Sequence, residues 1–584
     1  GSYFWYQNIN ENRVQRYLLE DGDLTLVDEK PEANMGTAST LADFLSWGVS
    51  NYPSERMGLI LWDHGSGSIN GVCFDEQYDY DSLTLGELDH ALNQVYDQMT
   101  DRFEFIGFDA CLMSTLETAN VLTPYARYMY ASQEMEPGSG WDYTSLLNNL
   151  AANPDQDGAQ LGEKVCREYY DHCADYGFGS QRSATFSIID LSKIDDVLIS
   201  MNEAFRVVYE QGDLGDVTRA VLEADSFGGN SVSEGYSNML DLGNMLDQLS
   251  GYGQEVRDAS QTLQSCVLYT MNGRLHKNAS GLSVYYPVSI QGSEELKIFS
   301  QICPSNYYYA LIDKIAYGAE NGSAADYDNS TLLSDMADIN EWLGEESGFT
   351  GNVSTNAGEF ADIEIGQMGV SDIYFDEDGI YTVSFDNMDE LAYACCSVGM
   401  DDDADGFFYL GTTEEVIYDI DRNCVTDNFD GLWPCINDNL LALELVNTTD
   451  SCSIYTCNVL LNDEIETNLR IEYDWEYDEW SVIGIWDGID EETGMASREV
   501  YELQDGDVIT PAYYWFSVDD DEDWYYGDDI VVDGDLEITY EYLPEGVYYY
   551  CFELHDIYGN VYYTPFTLQY VDEDGEVWVD GEFY

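Results

Sequence analysis

Positive charge is what this chain has least of. Among 584 residues only 20 are Lys or Arg, against 114 Asp or Glu, for a net charge of −94. A surface of that sign excludes nucleic acid and anionic membranes as partners, because both need Lys and Arg to replace counterions. It suits high solubility, salt- or calcium-rich surroundings and cationic substrates, although any single acidic run reads first as a solvated coat. The shortage deepens along the chain: Lys314 is the last lysine, and only Arg422, Arg470 and Arg498 follow it. Such scarcity protects a chain from proteases that cut after Arg or Lys, its own kind included; salt adaptation produces it equally. Long apolar runs are missing too. No stretch approaches 18 consecutive apolar residues, so no transmembrane helix is expected. The chain opens on Gly1-Ser2, which reads as an expression scar or a cut end without a signal peptide.

Cysteine is present but unpatterned. The thirteen cysteines do not form a dense disulfide framework, and Cys424, Cys435, Cys452 and Cys457 lack a C-x-x-C pair that would mark a zinc site. Most stand singly among apolar residues, as Cys266 and Cys551 do, and read as buried free thiols. Adjacent Cys395 and Cys396 cannot both face one core from a strand.

What the chain does have is apolar material for several cores: 45% hydrophobic and 14% aromatic residues argue for two or three folded domains. Up to about Gly318 strands alternate with helices. Met57–Trp62, Phe103–Phe108, Tyr128–Ala131, Thr185–Ile189 and Gly281–Tyr286 read as strands. Ser39–Trp47, Ile194–Val208 and the stripe Leu88, Leu92, Val95, Met99 behind a Thr84–Glu87 capping box read as helices. This pattern predicts an α/β domain over residues 1–318 with a mostly parallel sheet covered on both faces. Residues 319–350 read as an acidic connector with one short helix near Leu332–Leu343. From 351 to 584 short alternating strands separated by Asp/Gly turns predict an all-β region of one or two sandwich-like modules. The run Asp401–Gly406 has carboxylates at alternate positions as a calcium loop does, but Thr412 stands where an EF-hand needs Glu, so a β-turn is expected.

Two motifs, Asp63-His64-Gly65 and Asp109-Ala110-Cys111, each follow a predicted buried strand. Loops at the carboxyl ends of such strands are where α/β proteins place their chemistry. Leu112, Leu116 and Ala119 continue a helical period, which predicts that Cys111 starts a helix, where N–H groups and dipole favour a thiolate. His64 is then the general base, Cys111 the nucleophile, and backbone at Gly65 and Cys111 the oxyanion hole.

The wider strings Leu59–Gly65, Gly107–Met113, Ala131–Gly138 and Gly140–Tyr143 closely resemble the clostripain family of cysteine peptidases. Asn34–Gly36, Thr40–Trp47, Asn51–Pro53 and Ser280–Pro287 fit the same family, so the resemblance runs from about Tyr3 to Gly318. It implies a caspase-like αβα sandwich and a secreted or surface bacterial endopeptidase that cuts after Arg or Lys. By motif His64 and Cys111 form the dyad and Asp109 is the acid that pairs with the substrate's cation. Glu134 and Glu136 are further candidates for the acidic pocket wall, unassigned by motif. The chemistry needs no cofactor, calcium being an accessory ion of the resemblance. A metal site is not identified, and the expected partners are peptides or proteins with Arg or Lys at the cut. The rival reading is a non-catalytic binding or adhesion protein that keeps the fold as a scaffold.

Two departures from the family bear on activation. Members often mature by cutting after a basic residue between the His and Cys strands, yet Ser66–Asp101 contains none. The strand and helix with which the family domain normally begins are not found upstream of Tyr3.

Overall fold

The computed structural model describes residues 10–321 and 368–584, apart from residues 11, 21, 175–177, 290–292, 377–378, 403–405, 450, 491–492, 499, 518–521, 535, 558–559, 573–576 and 580. The expected helix near Leu332–Leu343 and most of the 319–350 connector lie outside the described residues.

The chain enters through a hairpin of β1 (Arg13–Glu20) and β2 (Asp23–Pro31), followed by helix α1 (Ala38–Asn51). The central sheet has five strands: β3 (Gly58–Trp62), β4 (Phe103–Asp109), β5 (Ala126–Ala131), β6 (Thr185–Asp190) and β7 (Val267–Asn272). Their spatial order is β7-β6-β5-β4-β3. The pairs β3/β4 and β4/β5 are parallel, whereas β5/β6 and β6/β7 are antiparallel. The sheet is therefore mixed rather than mostly parallel. A short apolar run has the same composition whichever way its neighbour points, so direction is not legible strand by strand. Gly281–Tyr286 does supply a strand, Ser283–Tyr285, but it joins a separate three-stranded sheet.

Alternation along the strands sends side chains to two cores. Ile106, Phe108, Met129 and Ile189 enter one, with Leu88, Leu92 and Val95 of α2 (Leu85–Tyr96) and Val197, Leu198 and Met201 of α3 (Ile194–Gln211). Phe105, Tyr130, Phe186 and Ile188 enter the other, against Leu161, Val165 and Tyr169 at 158–173. The Thr84–Glu87 capping box at the start of α2 forms as expected. Spacing on α1 puts Leu41, Phe44 and Leu45 on one apolar face, yet Leu41, Leu45 and Val49 take the buried side and the Phe44 ring is exposed.

Beyond residue 368 the chain is all β. Seven long strands are β8 (Leu391–Asp401), β9 (Gly406–Thr413), β10 (Cys452–Leu461), β11 (Ile465–Asp474), β12 (Glu479–Trp486), β13 (Val508–Ser517) and β14 (Gly546–Asp556). They run in the order β12-β11-β10-β13-β9-β8-β14 within one large sheet. Two cores divide the region, one around Trp433, Tyr548 and Phe552 and one around Leu469, Ile471 and Ile509. Cys395 and Cys396 are both buried because this sheet is covered on both faces. All thirteen cysteines are free. Among the described residues no helix is long and apolar enough to cross a membrane.

The two regions are joined by ion pairs that invert the chain's charge scarcity. Arg470 of β11 reaches Glu234 at 2.7 Å with both side chains buried, donates to the Gly228 carbonyl at 2.8 Å, and lies 4.2 Å over the Trp486 ring. In the other direction Arg274 and Arg182 meet Glu472, and Arg274 reaches Asp474 at 2.6 Å.

Candidate active site

Parallel pairing of β3 and β4 sets the site. Trp62 lies directly opposite Asp109 in register, so both chains leave the sheet at one edge and neighbouring strands stand about 4.8 Å apart. Asp63-His64-Gly65 and Ala110-Cys111 are thereby brought together. Gly65 is packed so closely that a Cβ there would collide with the Cys111 carbonyl oxygen, which fixes glycine at this position.

Cys111 does not start a helix. It lies in a turn, Leu112 adopts φ +63°, and the helix begins only at Leu116, capped by Thr115. The thiol is instead held by the neighbouring loop: the Glu136 N–H points to Cys111 Sγ at 3.2 Å. Cys111 is fully buried, and burial pushes its thiol up to about 12, against the pull of Arg498 and the Glu136 N–H. In this closed form the thiol is protonated at neutral pH. Alkylation of Cys111, located by mass spectrometry, is expected still to be accelerating above about pH 9, whereas a plateau near neutrality would contradict the raised value.

Asp109 is completely buried and its carboxylate is built in from several sides. Oδ2 accepts from the Tyr143 hydroxyl at 2.8 Å and the Trp141 N–H at 3.3 Å. Gly140 has φ +63°, and a Cβ there would fall 2.6 Å from both carboxylate oxygens, so the Gly140–Tyr143 string is a cradle for Asp109. Oδ1 faces Arg498 Nη2 at 2.7 Å. The Arg498 Nη1 donates to the Asp63 carbonyl at 3.2 Å, and the guanidinium sits 5.8 Å from the Trp62 ring. The pocket at Asp109 therefore already holds an arginine side chain, contributed by the C-terminal region.

The two remaining acidic candidates separate. Glu136 lines the same pocket: burial, then the Asp109 charge, hold its carboxyl well above the usual range while Arg498 works the other way, and Oε2 accepts from the Trp141 indole at 3.2 Å. Glu134 faces elsewhere. It bonds the Gly228 and Met135 N–H groups and lies 3.1 Å from His276, which is also 2.9 Å from Asp225. Burial lowers His276, yet Asp225 and Glu134 hold it well above the ordinary histidine range, so Glu134 belongs to a buried charge cluster. His64 is half-buried and its Nδ1 lies 2.9 Å from the Ala496 carbonyl oxygen.

Sequence reasoning missed Arg498, Ala496, Trp62 and Tyr143. The only signal for Arg498 was its rarity as one of three basic residues after Lys314. A separate trio could hold a metal ion: Cys395 lies opposite Glu553 across β8 and β14, His555 follows two residues on, and their ligand atoms all fall within 4.8 Å of one another. They face a cavity of about 790 Å³ lined also by Tyr409, Tyr549 and Trp524. None of the three belongs to the His64–Cys111 site.

Comparison with known proteins bears on the N-terminal region. A family model described as the clostripain family matches residues 5–323. Clostripain from Hathewaya histolytica is 29% identical over 158 residues, which cover 23% of this chain and 29% of that protein. The chain thus spans under a third of the length of the curated relative it matches. A secreted C11 cysteine protease from Bacteroides thetaiotaomicron, solved with an irreversible peptide inhibitor, is 18% identical with a TM-score of 0.40, over 52% of this chain and 87% of that one. An inactive zymogen C11 protease from Parabacteroides distasonis is 16% identical with a TM-score of 0.38, over 51% and 82%. The family model spans more than half of the sequence, and the chain belongs to the clostripain family.

Proposed function

We propose that the protein is an exported cysteine endopeptidase with a caspase-like αβα core that cleaves peptide bonds after Arg or Lys. The observation that carries this reading is the Arg498 guanidinium seated on Asp109: a pocket that accepts one arginine by ion pair, carbonyl and indole is complementary to a substrate's arginine. In this reading Cys111 Sγ attacks the scissile carbonyl carbon and forms a tetrahedral oxyanion facing the N–H groups of Gly65 and Cys111. His64 takes the thiol proton and passes it to the leaving amine as the C–N bond breaks, which leaves a thioester. Water, deprotonated by His64, then releases the acid and restores the thiol. Glu136 completes the pocket wall, calcium is an accessory ion, and residues 351–584 form a separate β-rich region.

The test uses fluorogenic peptides ending in Arg, Lys or Leu, with and without calcium. It is run on the parent and on Arg498→Gln, the form with the pocket cleared. Hydrolysis of Arg and Lys peptides, absent with Leu, is expected from at least one form. No hydrolysis by either would overturn the peptidase reading in favour of a scaffold. Asp109→Asn in the Arg498→Gln chain should lower kcat/KM for Arg peptides about 10²-fold, the loss of a buried charge-assisted pair. An unchanged Arg preference would remove Asp109 from the pocket role.

A further inference from the structure

Arg498 does not reach the pocket as a loose tail. It ends a hairpin that leaves β12 at Trp486 and folds on itself: Ile489 pairs with Ala496, and the Gly494 N–H donates to the Asp490 carbonyl at 2.7 Å. The Asp490 side chain accepts from the Thr493 N–H at 2.8 Å and the Thr493 hydroxyl at 2.7 Å. Gly488 and Gly494, at φ +85° and +69°, supply the left-handed backbone such a turn requires. The base is fixed where the Trp486 indole donates to the Ser497 carbonyl at 2.9 Å and the Ser497 N–H to the Gly488 carbonyl at 2.9 Å. A further bond, Ile489 N–H to the Glu234 carbonyl at 2.7 Å, ties the hairpin to the N-terminal region.

The hairpin reaches both residues of the pair. Trp486, Ile489 and Ala496 pack with Cys111, Leu112, Met135 and Phe227 in one buried cluster. The Ala496 carbonyl occupies His64, and Arg498 fills the pocket. We propose that the hairpin formed by residues 487–490 and 493–498 is a built-in inhibitor that keeps this site latent, and that it is bound there without being cut. The proposal rests on the peptidase reading above. A tethered, preformed occupant competes at a high effective concentration, so a substrate in solution meets a filled site.

The register explains why the hairpin survives. A substrate with arginine in the pocket must present that arginine's own carbonyl to the His–Cys pair. Here the carbonyl at His64 belongs to Ala496, two residues earlier. Release through the connector is closed to this enzyme as well, because no Lys or Arg lies between Lys314 and Arg422. Activation therefore requires the hairpin to be displaced, or cut by a protease of another specificity.

The experiment compares the full-length parent with Arg498→Gln, Arg498→Lys and Asp490→Ala. The last loosens the hairpin at an exposed turn and guards against a fold defect in the first. Three readouts are taken: kcat/KM on an Arg-ended peptide, the rate of iodoacetamide labelling at Cys111, and the intact mass after incubation. Both rates are expected to rise at least about tenfold in Arg498→Gln and severalfold in Asp490→Ala, and to stay near the parent's in Arg498→Lys. The parent should keep its full mass. Equal labelling of Cys111 in the parent and both loosened variants would overturn the proposal, as would cleavage of the parent after Arg498. Labelling that rises while no form hydrolyses peptide removes the peptidase reading and leaves the hairpin only a cover over Cys111; hydrolysis that is equal in all forms keeps the peptidase reading and removes the inhibitor.

Discussion

Replacing Cys111 with alanine in the Arg498→Gln chain is expected to lower kcat/KM for Arg peptides by at least about 10⁴-fold. The loss is chemical rather than structural. Cys111 Sγ is the thiol at the shared edge of β3 and β4, beside the pocket that holds Arg498 and in one buried cluster with Ala496, whose carbonyl meets His64. In the proposed mechanism no covalent intermediate forms without it, and only binding and oxyanion contacts remain. The substitution removes a single atom from a closed pocket, so it costs roughly 1 kcal/mol in stability. A circular-dichroism spectrum and melting point close to the parent's then show that the loss is one of chemistry. Hydrolysis retained in the alanine variant would place the nucleophile elsewhere.

Arg470→Ala is expected to destabilise the assembly of the two regions by about 3–5 kcal/mol, the cost of leaving a buried charge without its partner. Glu234 is fully buried with Arg470 as its cation, and the same guanidinium serves the Gly228 carbonyl and lies on the Trp486 ring. The urea midpoint measures the loss. Because Trp486 both stacks on Arg470 and roofs Cys111, the variant should also label faster at Cys111. Arg470→Ala with an unchanged midpoint would mean that this pair carries no load between the regions.

Much of the N-terminal region was legible because its signals are local. The apolar runs before His64 and Cys111 form the parallel neighbours β3 and β4, and the Thr84–Glu87 box caps the helix it announces. The failures have equally local causes. Leu112 carries the right spacing for a helix, but its positive φ delays the helix to Leu116. Glu134 and Glu136 are two residues apart and were indistinguishable as letters. The chain bends at Gln133–Glu134, so residues two apart point in different directions, one to His276 and the other to the pocket.

The sequence by itself determined which atoms are available for chemistry: a histidine and a cysteine, each placed after a buried strand, and an aspartate two residues before the thiol. Composition and periodicity were enough for that, because strand ends and apolar runs are properties of short segments. Only the tertiary structure decided what occupies the site. Arg498 and Asp109 are separated by 389 positions, and no pattern within either segment encodes their meeting. That contact depends on the packing of the β-rich region against the edge that carries Cys111, where desolvation makes a buried arginine costly unless it finds a carboxylate. The chain's shortage of positive charge was visible from the start. Two of the three basic residues beyond Lys314, Arg470 and Arg498, are spent on this interface.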